Sequence, residues 1–126
     1  MKKISENNFN SVDISSHKKT IYSKDDIAKI RCGYLAQTME SKWHLVYEEN
    51  KLYFIRSWTG KCIYIFHFKE ENDGYIIERF MYTNNTKNFK PNRNMLYYFR
   101  VCLYLVDEFL LDIRSSFPSE SIEFIS

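Results

Sequence analysis

The stretch from Lys42 to Thr83 constrains this chain more than any other. It reads as four aromatic-rich segments in two pairs, each pair joined by a short polar connection. In "KWHLVYEENKLYFIRSW" the connection is Glu48-Glu49-Asn50-Lys51, which is hairpin length. In "GKCIYIFHFKEENDGYIIERFMYTN" the turn signal is Asp73-Gly74. Strands are expected at about residues 42–48, 51–57, 61–69 and 75–82, in an antiparallel meander. Strict alternation places Trp43, Leu45 and Tyr47 on one face of the first strand. It places Cys62, Tyr64, Phe66 and Phe68 on one face of the third. The opposite faces also carry Val46, Ile55, Ile63 and Ile65, so such a sheet needs cover on both sides, from helices or from a second subunit.

Two helices are expected around this sheet. Ser23 followed by Asp25 and Asp26 forms a start signal, a hydroxyl cap with acids in the first turn. Ile27, Ile30, Tyr34 and Thr38 then recur at helical spacing, with Gly33 weakening the pattern. The run "NMLYYFRVCLYLVDEFLLDI" carries a clear stripe of Met95, Phe99, Cys102, Val106, Phe109 and Ile113, opposite Arg100, Tyr104, Asp107, Glu108 and Asp112. The fold class expected is therefore α+β: a four-stranded antiparallel meander packed against a long C-terminal helix, with a shorter N-terminal helix. Residues 1–20 read as a polar N-terminal tail or an early edge strand, 21–114 as a single domain, and 115–126 as a C-terminal tail.

A chain of 126 residues suffices for one core and not for two. With 44% apolar residues and only three glycines and two prolines, neither a disordered chain nor a fibrous repeat is expected. The formal charge of +2 gives no basis for general nucleic-acid binding. No apolar run approaches the ~20 residues of a membrane span, and the N-terminus lacks the apolar core of a signal peptide, so a soluble, cytoplasmic protein is expected. Cys32, Cys62 and Cys102 are odd in number and lack C-x-x-C spacing, which reads as free thiols rather than a metal site or disulfides. No cofactor is expected.

Familiar catalytic spacings are missing: no Gly-rich phosphate loop, no H-E-x-x-H and no G-x-S-x-G. His17, His44 and His67 lie far apart, and alternation would aim Cys62 and His67 at opposite faces. Glu48, Glu49, Glu70 and Glu71 sit at turns, where solvated charge is ordinary. The chemistry that stands out is the insert Arg56-Ser57-Trp58-Thr59-Gly60. Arg56 offers a planar fork to phosphate or carboxylate, Ser57 and Thr59 offer hydroxyls, and Trp58 offers a flat face for a base or ribose. The same five residues also suit a plain β-connection whose tryptophan caps the core. A second cationic group, Arg79, Lys87, Lys90 and Arg93, surrounds the polar connection before the last helix, where Asn92 or Asn94 is placed to cap. Tyr53, Tyr64, Phe80 and Tyr82 add aromatic surface.

The run "ESKWHLVYEENKLYFIRSWTGKCIYIFHF", followed by "NNTKNF" and "YLVDEFLLDI", resembles a small bacterial and phage domain of uncharacterised function. Its pattern is a Lys-Trp segment, an acidic turn, "LYF-x-RSWTG" and a β-run, and the likeness covers about residues 40 to 112. Such domains occur alone and beside ADP-ribosylglycohydrolase-type or macro-type modules. The resemblance implies an ADP-ribose or NAD-linked context and transfers no catalytic residue; where the pattern has a histidine before the arginine, this chain has Ile55.

In that context the first expectation is a non-catalytic binding protein for an ADP-ribose-like or cyclic nucleotide, of the kind a phage would use to sequester an immune signal. Arg56, Arg79 and Arg93 would neutralise phosphate, Trp58 or Tyr53 would stack on the base, and Ser57, Thr59 or Asn92 would read ribose. A homo-oligomer is expected. The alternatives are an enzyme or accessory domain in ADP-ribosyl or NAD metabolism, with His44 or a carboxylate at the cleft mouth, and a protein–protein interaction module.

Overall fold

A computed structural model describes residues 4–118. Four antiparallel strands form the centre of the sheet: β3 (Trp43–Glu48), β4 (Lys51–Arg56), β5 (Cys62–Glu71) and β6 (Gly74–Thr83). The β3–β4 connection is a two-residue turn in which Glu49 and Asn50 both take left-handed backbone angles, φ 52° and 63°. That conformation matches the twist of paired strands, and it fixes Glu48 opposite Lys51 and Trp43 opposite Arg56.

Among the described residues the sheet has six strands rather than the expected four. The two others, β1 (Phe9–Val12) and β2 (Ile21–Ser23), pair with opposite ends of β6. Together they form one split edge lane in the order β1-β6-β5-β4-β3. They were inconspicuous in the sequence because each is only three or four residues long, too short to carry a period of its own. Gly74 opens β6 because a Cβ there would come within 2.7 Å of the Tyr22 carbonyl oxygen.

Both helices pack on one face of the sheet. Helix α1 (Lys24–Cys32) begins with a reciprocal capping box: Asp26 N–H donates to Ser23 Oγ at 3.0 Å, and Ser23 N–H donates to Asp26 Oδ2 at 3.1 Å. It ends at Gly33, whose φ of 66° and ψ of −174° suit glycine alone. Beyond Gly33, Tyr34 exchanges two backbone hydrogen bonds with Leu45, which ties the helix exit to the free edge of β3. Helix α2 (Met95–Phe109) spans 15 residues and is shorter than the long helix expected. The apolar stripe continues to Ile113, but Asp112 turns to φ 55° and Ile113 N–H folds back onto the Asp107 carbonyl. Periodicity marks which side would be buried, and the local backbone marks where the helix stops.

The principal core lies between sheet and helices. Leu45, Leu52, Phe54, Tyr64, Phe66, Phe68 and Phe80 meet Ile27, Ile30, Phe99, Cys102, Leu105 and Val106. Phe66 sits centrally, 5.0 Å from Phe54, 5.7 Å from Phe80 and 5.5 Å from Phe99 between ring centroids. Each fully buried aliphatic or aromatic side chain of this kind contributes roughly 1.5–3 kcal/mol before conformational entropy is subtracted.

The opposite face holds Tyr53, Ile65 and Met81, and Ile4 and Phe9 from the chain's own N-terminal segment pack on it. Glu6, in a 3-10 turn (Glu6–Asn8), anchors this strap. Its carboxylate lies 2.7 Å from Lys51 Nζ and 2.9 Å from His67 Nε2. Part of the cover that the two-faced apolar pattern demanded is thus supplied within one chain.

Two face assignments are corrected: Ile63 lies in the principal core with Tyr64, and Cys62 lies on the opposite face. A bulge at Ile63 shifts the register, so that Phe54 opposes Tyr64 while Ile55 opposes Cys62. The extra residue reverses the alternation, and Cys62 joins Tyr53 and Ile65 on the strapped face. Cys62 and His67 therefore share a face, contrary to strict alternation. They remain separated by four alternation steps, roughly 13 Å along the strand.

Candidate functional site

The two-residue turn at Glu49–Asn50 determines what lies beside the "RSWTG" corner. Counting outward from the turn places Trp43 opposite Arg56 and brings Lys42 alongside Ser57, whose N–H donates to the Lys42 carbonyl at 3.0 Å. The corner itself closes tightly: Arg56 N–H donates to the Lys61 carbonyl and Gly60 N–H to the Arg56 carbonyl. Thr59 Oγ1 accepts from Lys61 N–H at 3.2 Å.

Much of the corner's polarity goes into holding the neighbouring segment of residues 35–42. Ser57 Oγ donates to the Ser41 carbonyl at 2.7 Å, and the Trp58 indole N–H donates to the Met39 carbonyl at 3.0 Å. Tyr34 OH pairs with Ser41 Oγ at 3.2 Å. Ala36 N–H donates to His44 Nδ1 at 2.9 Å. That last bond makes His44 an acceptor at Nδ1 and leaves its proton on Nε2 when the ring is neutral. With its nitrogen edge bonded, Trp58 as a residue remains 69% exposed.

Beside this indole lies a cleft of about 400 Å³ lined by Lys42, Arg56, Trp58, Thr59, Lys87 and Asn88. Its volume is at the small end of the ~300–1,000 Å³ range of ligand pockets. The Arg56 guanidinium sits 4.4 Å above the Trp43 ring, and Trp43 in turn lies 5.7 Å from Tyr64 in the core. Arg56 is held by a π-face, which occupies none of its N–H donors. Among the described residues, Lys42, Arg56 and Lys87 have no ion-pair partner, and no carboxylate lines the cleft.

The far wall comes from the β6–α2 connection. Asn85 organises it: its Oδ1 accepts from Lys87 N–H, and its carbonyl accepts from Asn88 and Phe89 N–H. Phe89 then plugs into the core, 5.3 Å from Tyr64 and 5.0 Å from Tyr98. This plug fixes the position of Lys87 and Asn88.

Of the residues singled out in the sequence, Arg56, Trp58, Thr59 and Lys87 line the cleft together, while the Ser57 hydroxyl is committed to the Ser41 carbonyl. Tyr53 lies on the strapped face, away from the cleft. Arg79 lines a separate depression at the split edge of the sheet. Asn92 exchanges hydrogen bonds with the Tyr98 hydroxyl, and Arg93 donates to the Asn92 carbonyl at 3.3 Å. Asn94 is the residue that caps α2, accepting from Leu96 N–H at 2.9 Å. Neither Asn92 nor Arg93 lines the cleft. Lys42 and Asn88 line the cleft as well, outside any motif of the sequence. The hairpin register was a sufficient signal for Lys42, and nothing local marked Asn88.

The split-edge depression is larger, about 570 Å³. Its cations Lys18, Lys19 and Arg79 are offset by Asp13 and Glu78 on the same rim, and Lys19 already pairs with Glu71. Its charge is mixed, whereas the smaller cleft is uniformly cationic. The cysteines divide by burial, which pushes the Cys62 thiol up to about 12 and that of Cys102 well above its usual value, while Cys32 is exposed. Among the described residues no cluster of His, Cys, Asp and Glu has the makings of a metal site, and no helix is long and apolar enough to cross a membrane.

Comparison with known proteins gives no match: no family model, curated protein or solved structure is detectably similar.

Proposed function

We propose that this chain is a small non-catalytic binding protein whose cleft takes an ADP-ribose-like or cyclic nucleotide. The supporting observation is the convergence of three exposed cations on an indole ring whose only polar atom is already bonded. Arg56 and the two lysines suit phosphate oxygens, and the free face of Trp58 suits a base. Thr59 and Asn88 supply neutral hydrogen-bonding groups beside them. The resemblance of the "LYF-x-RSWTG" run to domains found beside ADP-ribose modules points the same way. Sequestration of a nucleotide signal by a cytoplasmic homo-oligomer is the biological form this reading takes.

Binding is favoured over turnover because the cleft lining holds no acid–base pair. Its titratable members are Lys42, Arg56 and Lys87, and the nearby His44 already accepts at Nδ1 from Ala36.

Calorimetric titration with ADP-ribose, NAD and 3′,5′-cyclic AMP tests the reading, with mass spectrometry of the ligand afterwards. At least one compound is expected to bind and to be recovered intact. Trp58→Ala should weaken it by roughly 5- to 150-fold, the equivalent of ~1–3 kcal/mol for a lost base–aromatic stack. Trp58→Phe should retain most of the affinity, and Arg56→Ala should abolish uptake while the protein stays folded. Binding that survives both alanine variants, or none by any of the three compounds, refutes the assignment. Conversion of the ligand establishes an enzyme instead.

A further inference from the structure

We infer that the cleft selects phosphate groups free of divalent metal, so that magnesium complexes of nucleotides are poor ligands. This inference rests on the nucleotide reading of the cleft and specifies the chemical form of the ligand. Magnesium-bound nucleotides are ordinarily held through one or two protein carboxylates that share the metal with the phosphates. This cleft is built the other way. Its six lining residues are three cations, one indole, one hydroxyl and one amide. Glu40 belongs to the same connecting segment as Lys42 and does not line the cleft.

The three cations approach from different parts of the chain. Arg56 ends β4, Lys42 precedes β3, and Lys87 sits in the connection pinned by Phe89. None has a carboxylate partner among the described residues, so no local anion competes with the ligand. A magnesium ion on a diphosphate cancels two of its charges, occupies the oxygens that these side chains would contact and brings its own water shell. It would also place a dication against three positive groups. Each of these consequences lowers affinity.

The test uses the full chain with two probes, ADP and inorganic pyrophosphate, each titrated in EDTA and again in excess magnesium chloride. Sodium chloride holds ionic strength constant, so that screening does not mimic the effect. Both probes are expected to bind in EDTA, with ADP the tighter because of Trp58, and both should weaken by at least about tenfold in magnesium. Equal or tighter binding in magnesium overturns the inference, while ADP binding itself would still support a nucleotide site. If pyrophosphate binds and is weakened by magnesium but ADP is no tighter, the nucleotide reading fails and the selection for bare phosphate stands. If neither probe binds in EDTA, both are overturned.

Discussion

Replacing Glu6 by glutamine should destabilise this protein by an amount that rises and then falls as the pH is lowered. The Glu6 carboxylate lies 2.7 Å from Lys51 Nζ and 2.9 Å from His67 Nε2, and the three side chains are only 23%, 29% and 18% exposed. Burial on its own would raise the carboxyl, but the Lys51 hydrogen bond and the nearby His67 outweigh it and hold Glu6 below the usual carboxylate range. For His67, burial dominates and lowers its affinity for a proton. Glu6 opposes that shift, while Lys51 and Arg79 add to it. At neutral pH the cluster is therefore a carboxylate, an ammonium and a neutral imidazole. His67 Nε2 is buried, with the Glu6 carboxylate 2.9 Å away as its charged neighbour.

A partly buried, charge-assisted contact of this kind contributes on the order of 1.5–3 kcal/mol. Discounting for residual solvent, the glutamine variant should lose about 1–2 kcal/mol at pH 7, a fall in Tm of roughly 3–8 °C for a chain of this size. The sign with pH follows from the two directions. His67 binds a proton less readily folded than unfolded, so its contribution is complete above about pH 6.5 and declines as pH falls through its lowered folded value. In the native protein Glu6 offsets part of that decline; in the variant nothing does, so the gap in Tm should widen from pH 7 toward pH 5. The contribution of Glu6 is complete above about 4.5 and is lost as pH falls through its own lowered folded value. The gap should therefore close at still lower pH. Parallel thermal melts of the two proteins from pH 7.5 to 3.5 read this directly. A gap that stays constant with pH, or no gap at pH 7, refutes the account of the strap.

Two further outcomes follow from local geometry. Gly33→Ala would put a Cβ 2.6 Å from the Leu45 carbonyl oxygen in a backbone conformation that only glycine adopts readily, and should cost at least about 2 kcal/mol in urea unfolding; an unchanged midpoint contradicts the geometry of the α1–β3 junction. Iodoacetamide on the native protein at pH 7.5 should label Cys32 alone, because burial raises the Cys62 and Cys102 thiols and shields them. Peptide mapping that finds Cys62 labelled at a comparable rate would mean that the strapped face opens.

The parts of this fold that were legible in the sequence are those with a period or a capping signal of their own. The four central strands announced themselves by aromatic alternation, α2 by its stripe and α1 by Ser23 and Asp26, whose capping box is present as a reciprocal pair. The edge strands were hidden for a physical reason. A three-residue strand such as Ile21–Ser23 takes its conformation from the β6 edge it pairs with, and the information lies in β6. The bulge at Ile63 was equally hidden, because nothing in the residue types marks it, yet it sets Cys62 on the face opposite Tyr64.

The candidate site shows the same division between what a residue type announces and what register decides. Arg56 and Trp58 stand out by chemistry in an apolar context, and both line the cleft. The choice between a ligand corner and a plain β-connection divides within the pentapeptide itself. Ser57 and the Trp58 nitrogen perform the structural task, holding residues 35–42 against the corner. The Arg56 fork and the Trp58 ring are what that arrangement leaves facing outward. A cation seated on Trp43 and an indole fixed by its edge are side chains immobilised before any ligand arrives. Binding through them forfeits less side-chain entropy than binding through free surface residues. On the proposed reading, the corner would present its chemistry to a ligand because it first serves as a latch.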